Sequence, residues 1–131
     1  MKSLAGVALW TVIAAGISSG LPACGHPVQG KLEGRWLGEG VEGFGEEHIA
    51  AATGWSKGTS FEFSGSTMTV AIPAEEPRSG SYRVARAHQS DVYLSVVGEG
   101  GSADKVHFRL DDKHVMRWML GNGRSILLRR Q

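Results

Sequence analysis

An all-β fold follows from three features of the sequence: one small antiparallel up-and-down β-barrel of about eight strands, with one short helix between the first two. Apolar residues from Leu32 onward recur with period two in short runs. Residues that tolerate turns separate those runs, often at hairpin length. The chain beyond its first two dozen residues is enough for one small domain and not two.

Each element can be justified in order. Leu32 and Trp36 share one face of a first strand, with Gly34 between them. Gly45 to Thr53, with Glu46, Glu47 and a run of alanines, breaks the rhythm and reads as a short helix. Phe61 and Phe63 flank Glu62, and Met68, Val70 and Ile72 alternate with Thr67, Thr69 and Ala71. Pro73 and Pro77 bracket an exposed bend holding Glu75 and Glu76. Tyr82 and Val84 alternate with Arg83 and Ala85; Val92, Leu94 and Val96 follow. Val106, Phe108 and Leu110 form the next run, then Met116, Trp118 and Leu120, then Ile126 and Leu128. Ser64-Gly65-Ser66, Asp111-Asp112-Lys113 and Gly121-Asn122-Gly123 suit hairpins, and Gly98 to Gly101 makes a looser turn. Closing such a sheet on itself removes its edges. A barrel of about eight strands is just wide enough to be filled by side chains or to hold one small ligand. Its inward row supplies the residues expected to line such a ligand: Trp36, Phe61, Phe63, Val70, Val84, Leu94, Phe108 and Trp118.

The first residues belong to a different kind of segment. Lys2 is followed by an apolar stretch from Leu4 to Ile17 and then by small residues up to Ala23, the layout of a secretory signal. The stretch is too short for a stable membrane-spanning helix, which needs about 20 apolar residues. Leu21-Pro22-Ala23-Cys24 resembles the bacterial lipobox, with proline in an unusual second place. The resemblance implies cleavage before Cys24, a diacylglyceryl thioether on its sulfur, and often a further acyl chain. Two or more chains make a stable anchor where one gives only marginal binding. Gly25 after the cysteine, where an aspartate would favour the inner membrane, implies the outer membrane, facing the periplasm. The expected division is therefore 1–23 removed signal, 24–31 lipidated tether and 32–131 barrel. An extended tether of that length reaches at most about 25 Å. Lipidation also uses the single cysteine, leaving none for a disulfide, a nucleophile or a metal.

Leu32-Glu33-Gly34-Arg35-Trp36 resembles the Gly-x-Trp entry to the first strand of lipocalins and related calycins. The resemblance implies an arginine of the last strand packed over the tryptophan, here Arg129 or Arg130. It also gives the helix between the first two strands the character of a lid. Beyond the motif, the likeness is one of strand count and rhythm over about residues 32–130.

Charge narrows the function classes. With Lys2 removed, Lys and Arg balance Asp and Glu, so the strongly basic domain that nucleic-acid binding wants is missing. Glu33, Glu39, Glu42, Glu46 and Glu47 make the beginning acidic; Lys105, Arg109, Lys113, Arg117, Arg124, Arg129 and Arg130 make the end basic. Neighbouring first and last strands would neutralise one another; the other reading is a basic patch facing anionic lipid headgroups. Gly38-Glu39-Gly40-Val41-Glu42-Gly43 matches a dinucleotide fingerprint in letters, yet Glu39 and Glu42 would repel a pyrophosphate, and a flexible glycine loop is expected instead. Gly54-Trp55-Ser56-Lys57-Gly58 matches a nucleophile elbow, but the elbow joins a strand to a following helix and here the order is reversed, so a turn with an exposed serine is expected. His107 and His114, near Asp111 and Asp112, are expected to be solvated rather than metal ligands. These readings converge on a non-catalytic envelope lipoprotein with no cofactor, metal or nucleic acid, held to the membrane by Cys24 and binding a small apolar ligand. The alternative is a solid barrel that docks an envelope protein, with Trp55 as a contact point.

Overall fold

The structure, a computed structural model, describes residues 26–98 and 100–131. The expected signal segment and Cys24 lie outside the described residues. In chain order the elements are α1 (Gln29–Leu32), β1 (Gly34–Glu42), α2 (Glu46–Lys57), β2 (Ser60–Ser64), β3 (Thr67–Ala71), β4 (Arg78–His88), β5 (Asp91–Val97), β6 (Ala103–Leu110), β7 (Val115–Gly121) and β8 (Arg124–Arg130). The eight strands close into one barrel in sequence order, and β8 returns antiparallel to β1.

Alternation and turn chemistry account for the strands. Phe61 and Phe63 are buried around exposed Glu62, and Val92, Leu94 and Val96 are buried in turn along β5. Asn122 and Gly123 join β7 to β8 with φ of 56° and 76°, the pair of positive values that a tight hairpin turn needs to match strand twist. At the β6–β7 connection the Asp112 carboxylate accepts the amides of His114 and Val115 at 2.7 and 2.9 Å.

Helix α2 runs four residues beyond the expected Thr53. Glu46 and Glu47 occupy its first turn and Lys57 its last, matching the helix dipole, and it ends at Gly58. Trp55 and Ser56 therefore sit in a last helical turn, not a loop. The helix lies against β1 because Gly38 has no side chain: a Cβ there would fall 1.9 Å from the Ser56 carbonyl oxygen. Gly38 to Glu42, expected as a flexible glycine loop, is strand instead. Backbone pairing to β8 holds those glycines extended.

The entry to the barrel also differs from expectation. Leu32 ends α1 and the first strand starts at Gly34, whose φ of 119° redirects the chain. Leu32 is still fully buried, and the Trp36 indole donates to its carbonyl at 2.9 Å. Val28 packs against the core, so residues 28–31 join the folded body in place of an extended tether.

At this end of the barrel the interior is filled. Phe61, Phe63, Tyr82 and Phe108 meet edge to face, with centroids 5.0 Å apart for Phe61–Phe108 and 5.3 Å for Phe63–Tyr82. Each such contact adds about 0.5–1.5 kcal/mol beyond area burial. Arg130 closes the same end. Its guanidinium lies 4.3 Å from the Trp36 ring centroid and donates to the carbonyls of Lys31, Glu33 and Lys113. The basic last strand and the acidic first one neutralise each other along the seam, with Arg129 on Glu39 at 2.9 Å and Arg117 of β7 bridging Glu42 and Asp111.

Two substitutions probe these contacts by chemical denaturation. Arg130→Ala removes a cation–π contact and three charge-assisted bonds, an expected loss of about 2–4 kcal/mol, whereas Arg130→Lys is expected to lose less. Gly38→Ala pushes a methyl into the helix backbone and is expected to cost about 1–3 kcal/mol. Unchanged stability in Gly38→Ala would mean that α2 does not sit so close to β1.

Candidate ligand pocket at the open end of the barrel

The two ends of the barrel are built from different connections. The filled end carries α1, the β2–β3, β4–β5 and β6–β7 turns and the C-terminus. Gln29 donates to the Gly65 carbonyl and Glu33 accepts the Gly65 amide, which fastens the entry segment to the β2–β3 turn. The opposite end carries α2, residues 72–77, residues 98 and 100–102, and the Asn122-Gly123 turn.

Between the β3–β4 and β5–β6 loops of that second end lies a cavity of about 600 Å³. That is within the range of small-molecule pockets, roughly 300–1,000 Å³. Its walls are Phe61, Met68, Val70, Ile72, Val96, Val106 and Trp118. Its mouth carries Glu75, Glu76, Arg78, Ser79, Ser102 and Asp104. Pairing explains how charged residues reach an apolar cup. Asp104 is the cross-strand partner of Val96 and Arg78 that of Val70, so each belongs to an inward row at the height where the row meets solvent. Gly80, partner of Met68, leaves no side chain between β4 and β5; a Cβ there would lie 2.6 Å from the Val97 carbonyl. At the rim Arg78 approaches Glu75 at 4.0 Å, and Ala74 holds φ at 68°, a conformation glycine takes without cost.

Helix α2 reaches the pocket through its last turn. Trp55 stacks on Trp118 with centroids 6.3 Å apart, and Trp118 meets Phe61 edge-on at 5.1 Å. Trp55 is 37% exposed and Ile49 45% exposed.

The residues expected to line a ligand site divide between the two ends. Phe61, Val70 and Trp118 line the cavity. Trp36, Phe63, Leu94 and Phe108 are enclosed in the packed end, and Val84 packs against that core partly buried. Sequence reasoning missed Met68, Ile72, Val96 and Val106 as pocket walls, although each was already placed on an inward row. It also missed the polar mouth. Asp104 was legible in principle, two positions before Val106 on the same alternation.

Other candidate chemistry resolves into structure. Ser56 is fully buried and its hydroxyl donates to the Thr53 carbonyl at 2.8 Å, so it is no exposed serine. His107 is held on the outer wall, stacked on Tyr93 at 4.2 Å and hydrogen-bonded to Asp91 at 2.8 Å, rather than freely solvated. Arg86 lies 4.7 Å from the centroid of the same Tyr93 ring, beside a shallower outer hollow of about 290 Å³. Among the described residues, no group of three or more His, Cys, Asp or Glu could hold a metal ion. Tyr82 is buried and its hydroxyl has no hydrogen-bond partner. Burial, then the negative charge of Glu33, pushes its pKa up to about 12, and neighbouring Gln29 opposes the shift.

No family model, curated protein or solved structure matches this chain. The closed eight-stranded barrel is compatible with a calycin-like fold.

The outer-wall cluster makes a pH-dependent contribution. The hydrogen bond from His107, then Arg109 at 3.1 Å, holds the Asp91 carboxyl below the usual carboxylate range. A carboxyl depressed by folding stabilises fully above its unfolded value, about 3.9, and loses that contribution as pH falls through the folded value. Asp91→Asn is therefore expected to lose about 0.5–1 kcal/mol at pH 7, an amount typical of partly exposed pairs. That difference shrinks as pH drops below about 4. A difference between the two proteins that stays constant down to pH 2 would contradict the assignment.

Proposed function

We propose that this chain is a lipid-anchored binding protein of the bacterial cell envelope, non-catalytic and lipocalin-like, that holds a small apolar ligand. The observation that carries the reading is the cavity of about 600 Å³, walled by apolar side chains and open to solvent at one end of an otherwise packed barrel. A barrel built only to be stable would fill both ends. The lipobox-like Leu21-Pro22-Ala23-Cys24 supports the anchor, and the Gly34-Arg35-Trp36 entry with Arg130 over the indole supports the kinship of the barrel.

Position supports a coherent arrangement. The chain enters the barrel at its filled end, against the β2–β3 turn, and Val28 is already packed there. Lipid on Cys24 would hold that end toward the membrane and turn the mouth of the cup to the aqueous periplasm. Gly25 after the cysteine, in place of an aspartate, supports outer-membrane placement.

A second reading is favoured by exposed apolar side chains on α2, Ile49 and Trp55, which could contact a partner. In that case the helix docks an envelope protein and the cavity is incidental.

Native mass spectrometry of the protein extracted from its own membranes in mild detergent addresses these claims together. The expected species is Cys24 to Gln131 plus acyl chains, carrying a reproducible non-covalent adduct of small mass. An unmodified mature mass would overturn the anchor, and a lipidated protein consistently bare of any adduct would favour the docking reading.

A further inference from the structure

We propose that the cup selects amphiphiles with a positively charged head: the tail lies against the apolar wall and the cation sits at the mouth. This rests on the cavity being a ligand site and adds the chemical class of the ligand.

The pocket is divided along its depth. Phe61, Val70, Ile72 and Val106 offer nothing that hydrogen-bonds through a side chain, so the inner part rewards a hydrocarbon body and penalises a buried polar group. The mouth is where a head group would sit, and among the described residues lining it stand three carboxylates, Glu75, Glu76 and Asp104, against one cation, Arg78. Arg78 lies 4.0 Å from Glu75 in an exposed ion pair, so its charge is shared with that carboxylate first. That leaves Glu76 and Asp104 uncompensated within the pocket. They enter it from different elements, Glu76 on the β3–β4 loop and Asp104 from an inward position of β6 beside Val96.

An inward carboxylate at the edge of an apolar cup is an uncommon choice, because a neutral side chain there would raise no desolvation penalty when a tail enters. With a cationic ligand the same carboxylate gains a partner, an attraction of the modest, salt-screened size typical of exposed pairs. An anionic amphiphile would meet two unneutralised carboxylates, and a neutral one would gain only the apolar contact.

The test uses the full chain as its cell processes it, carried in zwitterionic nanodiscs, with empty nanodiscs as the partition control. Octyltrimethylammonium, octyl sulfate and octanol share one tail and differ in head charge; binding is followed through tryptophan emission, to which Trp55 and Trp118 at the pocket contribute. The cation is expected to bind at least about tenfold tighter than the sulfate, with octanol between, and the gap to narrow as salt rises. Glu76→Gln combined with Asp104→Asn, both at solvent-exposed positions, is expected to reduce cation affinity about three- to tenfold while leaving octanol unchanged. Equal or tighter binding of octyl sulfate, or a cation preference undiminished by the double substitution, would overturn the proposal. If octanol binds and no charge preference appears, the charge selection fails while the apolar pocket stands. If none of the probes binds beyond empty nanodiscs, the pocket reading fails with it.

Discussion

The contact between Arg130 and Trp36 governs the rest of this architecture. These two residues are register partners across the seam where the last strand meets the first, so the cation–π contact forms only when the barrel is closed in this register. The same guanidinium donates to carbonyls on α1, on the residue after it and on the β6–β7 loop, drawing three separate segments to one point. Gly34 matters for the same reason: a Cβ there would lie 3.0 Å from the Arg130 Nη1 atom, at a φ that L side chains rarely adopt. One interaction thus fixes the closure, the register of β1 on β8 and the path of the chain into the barrel.

Around that clasp the interior has two characters. Near it the inward positions carry large rings, and Trp36, Phe63, Tyr82 and Phe108 fill the space. Further along the same strands the inward positions shrink to Val70, Ile72, Gly80, Val96 and Val106 and then become charged at Arg78 and Asp104. The diameter of a barrel is set by its strand number and stagger, so narrowing the side chains at one end cannot draw the walls inward. The residual space becomes the cavity. Stability and function are therefore separated along the barrel axis, with the aromatic end supplying the packing that permits the other end to remain open.

Much of this fold was legible in the sequence, because alternation and turn chemistry are local signals. The strand runs from Phe61 to Leu128 and the hairpin at Asn122-Gly123 correspond to features written within a few residues, whereas the arginine over Trp36 was expected only from the resemblance of the Gly34-Arg35-Trp36 entry. The entry segment was less legible. Leu32 and Trp36 are four apart, a spacing that suits one face of a strand, and also a helix turn followed by a redirected strand; the positive φ of Gly34 decides between them and leaves no mark in the apolar pattern. Likewise Gly38 and Gly40 suggest freedom, yet Gly38 is held where it is by the backbone of Ser56. The pocket was half legible for a geometric reason. Alternation tells which face of the sheet a residue occupies but not its height along the axis, so Phe63, Leu94 and Phe108 could not be separated from Phe61, Val70 and Trp118. Height depends on the stagger between neighbouring strands, which is a property of the closed barrel.

The helix between β1 and β2 connects the open end to the closure. It bears on β1 through the Gly38–Ser56 contact, and β1 is the strand clasped to β8. Its last turn places Trp55 on Trp118, and Trp118 forms part of the pocket wall against Phe61. At the helix end, a Cβ on Gly58 would lie 2.7 Å from the Pro73 ring, so the β3–β4 loop that carries Glu75 and Glu76 leans on the same element. The mouth is therefore bordered by parts that share one support: displacing the helix would disturb the Trp118 wall and the acidic loop together. Tight packing allows such a unit a few discrete arrangements rather than continuous give. A ligand that touches both Trp118 and the rim carboxylates would bridge two sides of that unit.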